Sequence, residues 1–124
     1  QHKQQASLVE GAYAAVLKRM ALEGKKFDMI YLDMGAGSKE VLEAAVLAFP
    51  LLKGRGMLIF DDYTTDKYHA NSCPKPGIDA FLGAYAQDVK VVHATWQLVC
   101  LKRTKPLKRV ACKSEYYHED IRTI

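Results

Sequence analysis

The sequence predicts an α/β domain built on two parallel strands, and three observations carry that prediction. Two short apolar runs, FDMIYLD at 27–33 and MLIFDD at 57–62, are nearly continuous in hydrophobicity. Strands of a parallel sheet, covered on both faces, read that way. A helix-like stretch lies between them, as a parallel crossover requires. Each run also ends on acid: Asp33 closes the first, and Asp61 with Asp62 closes the second.

The elements follow in order. Residues 7–22 place Leu8, Ala12, Val16 and Met20 at spacing four with Val9, Tyr13 and Leu17 beside them, an apolar stripe on a helix. Gly24 offers a stop, and Lys25 and Lys26 suit the negative end of the helix dipole. After the first strand, GAGS at 35–38 makes a glycine-rich turn with Ser38 as the expected N-cap. The helix predicted over 39–52 carries Leu42, Ala45, Val46 and Phe49 on one face, and Pro50 kinks or ends it. Lys53, Gly54, Arg55 and Gly56 then read as a turn into the second strand. The crossover from strand to strand is expected to be right-handed.

Residues 64–76 read as a long exposed loop, a length that hints at a lid or insertion. A third helix is predicted over 77–87, with Ile78, Phe81, Leu82 and Tyr85 on one side. Two further strands, 89–93 and 96–102, are expected to pair as an antiparallel edge hairpin turning near Ala94 and Thr95, with Trp96 in the core. Residues 104–124 lack periodicity and read as a basic tail.

With 124 residues the chain is one domain at most. An apolar fraction of 49% and a charged fraction of 26% argue for a globular chain rather than a disordered one. The net charge of +4 is mild and concentrated in residues 102–113. That run has no interleaved aromatic platform, so a solvated tail is the preferred reading and nucleic-acid binding the lesser one. Cys73, Cys100 and Cys112 are an odd set without a CxxC pair, which disfavours a disulfide framework or structural zinc. With no apolar run long enough for a membrane span and no signal peptide, an intracellular, cytoplasmic protein is expected, with no membrane partner. The first residue is Gln1, and the expectation is a chain trimmed or cut from something longer.

The acidic strand ends are the sharpest chemical signal. Asp33 and Asp61 take comparable places on neighbouring strands, within one cation's reach. Asp62 would point to the opposite face in a regular strand and joins them only if the strand ends there. Three carboxylates suit magnesium, manganese or calcium better than zinc. Solvated turn carboxylates are the plain alternative. The run GAGSK does not have P-loop spacing, and a capped tight turn accounts for it.

FDMIYLD, a helix ending AFPLLKGRG, then MLIFDDY, GIDAFLGAY and WQLVCLKR together resemble the second half of a class I S-adenosylmethionine-dependent methyltransferase. The resemblance covers about residues 27–103, with 1–26 as an N-terminal helix packing on the sheet. It points to the metal-assisted O-methyltransferases that act on sugars and to the related catechol type. It implies the C-terminal half of a Rossmann-like doubly wound sheet. Asp33, Asp61 and Asp62 would hold a magnesium ion that binds two neighbouring hydroxyls of a sugar or other diol acceptor and lowers the pKa of one. Asp33 is also the residue of this stretch assigned to the donor, S-adenosylmethionine, and Tyr63 is assigned to the acceptor pocket.

Two departures from the family pattern stand out. The position two residues after the first Asp, an acid or histidine in the sugar-modifying relatives, is Gly35, which leaves His69 as the general-base candidate by sequence. The glycine-rich donor turn has no counterpart here, since no GxGxxG signature occurs in the chain. The expectation is that an upstream half, or a partner chain, supplies it. The rivals are a non-catalytic scaffold or interaction subunit of the same fold and, below it, an unrelated magnesium-dependent phosphoryl-handling domain.

Overall fold

A computed structural model of the protein describes residues 6–35, 37–64 and 73–107. The elements run α1 (Tyr13–Leu22), β1 (Phe27–Leu32), α2 (Ser38–Ala48), a 3₁₀ turn (Phe49–Leu51), β2 (Leu52–Phe60), α3 (Lys75–Ala84), β3 (Val89–Ala94) and β4 (Leu98–Lys102). They form a mixed four-stranded sheet in the order β1-β2-β4-β3. β1 and β2 are parallel, as the crossover pattern predicts. β4 returns antiparallel between β2 and β3, so β3 is the outer strand of the hairpin. Among the described residues no helix is long and apolar enough to cross a membrane.

The first helix is shorter than its apolar pattern. Ala12 is extended and no side chain caps the entry, so the helix begins at Tyr13. Gly11, a poor helix former, precedes it, and Leu8 and Val9 stay exposed. α1 lies along α2, where the Tyr13 hydroxyl donates to Glu43 Oε2 at 2.7 Å. Pro50 ends α2 as expected, inside the 3₁₀ turn.

The predicted turn at residues 53–56 is a bulge within β2. Phe27 pairs with Leu52 and Met29 with Met57, so β1 advances two residues while β2 advances five. Arg55 absorbs the detour with φ 67°. Beyond it the register runs regularly from Met29 opposite Met57 to Leu32 opposite Phe60.

The core lies on one face of the sheet. Leu58, Phe60, Leu98 and Cys100 are at most 1% exposed and meet Val41, Ala44, Ala45 and Ala48 of α2 and Ile78 and Phe81 of α3. Phe81 centres the aromatic packing, 5.6 Å from the Phe60 ring and 4.6 Å from the Tyr85 ring. α2 and α3 meet where Gly77 passes the Ser38 carbonyl, so closely that a Cβ at residue 77 would collide with backbone. Burial raises the Cys100 thiol to about 11, as expected of a core cysteine.

The opposite face is poorly covered within the described residues, as expected of doubly apolar strands whose second cover would come from an upstream half or a partner chain. Met29, Met57 and Leu101 form one row across it, and Tyr31, Ile59 and Val99 a second. Met29 is 58% exposed and Tyr31 45%, and only Leu32 of β1 is buried. Trp96, predicted to be core, sits in the turn between β3 and β4 and is 46% exposed.

Candidate metal centre

The acidic rim is assembled by strand pairing. Asp33 follows the last residue of β1 and Asp61 the last residue of β2, and the Asp61 amide donates to Leu32 O at 3.0 Å, extending the parallel ladder one step. Two side chains that leave adjacent parallel strands at the same level start out as neighbours. Asp62 would ordinarily turn to the helix-covered face. It takes φ 55° instead, a left-handed conformation that Asp tolerates better than most residues, and the alternation breaks there. As a result Asp33, Asp61 and Asp62 each present a carboxylate oxygen within 4.8 Å of the others.

Asp33 is exposed, while Asp61 and Asp62 are half-buried. A cleft with about 10 Å³ of free room, lined by all three together with Gly35 and Pro74, opens between the strand ends. That is the space of about one water or one ion. The surroundings favour the charged form of Asp61. Gln97 Nε2 donates to Asp61 Oδ1 at 3.1 Å and to the Tyr31 hydroxyl at 2.9 Å. The Gln97 hydrogen bond, aided by those from Tyr31 and the Asp62 amide, holds the Asp61 carboxyl below the usual carboxylate range despite partial desolvation. The Tyr31 phenol is correspondingly raised, chiefly by its hydrogen bond to Asp61.

The donor set fits a hard cation. All three ligands are carboxylate oxygens, without nitrogen or sulfur. Atoms up to 4.8 Å apart are compatible with ligands about 2.0–2.6 Å from one shared ion. Three anions so close repel one another, and a cation between them removes that cost.

The other predicted site residues fall differently. Tyr63 is half-buried and tied to α3: its hydroxyl donates to Asp79 Oδ1 at 2.8 Å and accepts from Lys75 Nζ at 3.2 Å. Lys75 closes the triangle on Asp79 Oδ2 at 2.5 Å, and Asp79 with Tyr63 raises the ammonium's pKa. Ser38 is the first residue of α2, not its cap, and its hydroxyl donates to Cys73 O at 2.6 Å. Gly35 has φ 52°, a left-handed backbone state that glycine adopts without strain. His69, Cys112 and most of the predicted loop and tail lie outside the described residues.

Sequence reasoning missed Tyr31 and Gln97. Tyr31 was within reach of a period-two argument, being two residues before Asp33 on the same strand. Gln97 had no local signal, because it reaches Asp61 only through the antiparallel register of β4 on β2. No family model matches the chain, and no curated protein matches it.

Proposed function

We propose that the rim formed by Asp33, Asp61 and Asp62 is a hard-cation site serving metal-assisted methyl transfer to a hydroxyl of a sugar or other diol, as the sequence resemblance implies. One observation carries this reading: Asp62 leaves the regular strand conformation, and that departure brings adjacent acidic residues to the same point as Asp33. When bound there, magnesium would acidify an acceptor hydroxyl and hold the diol in place. The chain's own contribution is positional. Tyr31 and Gln97 keep the Asp61 carboxylate charged and fixed, while Asp33 and Asp62 supply oxygens from the strand end and the turn.

The residues present do not fit an S-adenosylmethionine site, since the chain carries no GxGxxG turn. Donor binding would then fall to an upstream half or a partner chain. A scaffold reading is favoured by Gly35, whose lack of a titratable group leaves the described rim without a base in the family's position.

Calorimetric titration with magnesium tests the site. The account expects one ion bound per chain, with affinity reduced at least about tenfold in Asp61→Asn. S-adenosylmethionine added to the same chain should bind weakly or not at all. Equal magnesium affinity in the wild type and the variant would move the assignment to the scaffold.

A further inference from the structure

At the other end of β2 lies a feature of opposite charge, independent of the metal reading. The bulge around Arg55 and the chain leaving β4 flank a shallow, open depression of about 390 Å³. Among the described residues it is lined by Arg55, Lys90, Leu101, Lys102, Arg103, Thr104 and Lys105, none of them acidic.

The cations are arranged on three separate pieces of chain. Lys90 pairs with Leu101 across β3 and β4, which places it on the open face of the sheet beside the cavity floor. Lys105 and Thr104 come from the segment after β4, and Thr104 Cγ2 closes against the bulge at Gly54. Arg55 comes from the bulge itself, held at φ 67°, a backbone state uncommon for a residue with a Cβ. Arg103 spends its Nε on Val89 O at 3.2 Å. Lys102 is the exception: its ammonium turns away to Phe49 O and Leu52 O, both at 2.9 Å, and lends the cavity only its remaining atoms. Asp28 is held by Lys53 at 2.9 Å, and Asp88 is not among the described lining residues.

We propose that this cavity binds a small anion carrying two linked phosphate groups, gripped by Arg55, Lys90 and Lys105 above the apolar floor of Leu101. Arginine matches a phosphate bidentately, and lysines add point charges to the same group. Cations carried on three separate segments suit an anion with more than one phosphate group, each group meeting a charge from a different segment.

The test is calorimetric titration of the whole chain at low salt with pyrophosphate, orthophosphate and an oligothymidylate of twelve nucleotides. Arg55→Gly removes the guanidinium while suiting the left-handed backbone, and Lys90→Gln neutralises an exposed strand position, so both variants should melt as the parent does. The proposal expects one pyrophosphate bound per chain, more tightly than orthophosphate. Affinity should fall at least about tenfold in Arg55→Gly and again in Lys90→Gln, and stay unchanged in Lys18→Ala on the distant α1. Lack of pyrophosphate binding, equal loss in Lys18→Ala, or unaltered binding in both cavity variants would overturn it. Oligothymidylate binding without pyrophosphate binding would also overturn it, in favour of a nucleic-acid surface.

Discussion

The two faces of the sheet carry similar side chains and have different fates. Toward the helices, Leu58, Phe60, Leu98 and Cys100 lose essentially all their exposure. Away from them, Met29 and Tyr31 remain about half exposed in rows that also include Ile59 and Val99. Hydropathy along the strands does not distinguish these faces, because alternation is absent when every residue is apolar. What distinguishes them is whether a helix arrives. α2 and α3 pack on one side through a glycine-mediated contact, and the other side keeps apolar surface of the kind that usually meets another element or chain.

Adjacent residues of β2 offer the strongest test of that contrast. Phe60→Ala should cost about 3–5 kcal/mol in chemical denaturation, because it opens a cavity beneath Phe81. Ile59→Ala, on the partly open face, should cost well under half as much. Comparable losses at the two positions would mean that the second face is covered too. Next in size is Gly77→Ala, which should destabilise by roughly 1–3 kcal/mol because its methyl meets the Ser38 carbonyl. A neutral outcome would show that α2 and α3 are not in that close register.

The acidic rim sharpens the comparison electrostatically, since Asp61 projects beside Tyr31 of the open face. Its carboxyl titrates below the usual value, so its contribution to stability is present above the unfolded-state pKa and is lost as pH falls through the folded-state pKa. Carbon-detected NMR titration should show Gln97→Ala raising the Asp61 pKa and weakening magnesium about ten- to a hundredfold. An unmoved pKa would remove Gln97 from the site. The smallest effect concerns the thiols. Cys100, buried and raised to about 11, should react with a maleimide at pH 8 far more slowly than the partly exposed Cys73. Equal rates would mean that the helix-covered face opens readily.

Much of this architecture was legible from residue patterns. The parallel strands, the crossover helix and the hairpin follow from apolar runs, punctuation by Gly and Pro, and spacing. The bulge was not, because Gly54 and Gly56 signal a turn equally well whether the chain reverses or detours. Trp96 was misplaced because aromatic character near a strand says nothing about which side of a turn it occupies. At the site, Asp33 and Asp61 could be paired from their strand-end positions. The participation of Asp62 depended on one backbone dihedral, and Gln97 on a cross-strand register, and neither is written in local sequence.

The central claim is that three carboxylates from two strand ends converge on one cation, and sensitised terbium emission reads it most directly. Terbium is a hard cation with the same preference for oxygen ligands, and Tyr31 lies beside Asp61 as a light-gathering group. The account predicts emission excited through tyrosine, displaced by magnesium, reduced by Tyr31→Phe and abolished in Asp61→Asn. Emission that survives Asp61→Asn, or that magnesium fails to displace, would contradict it.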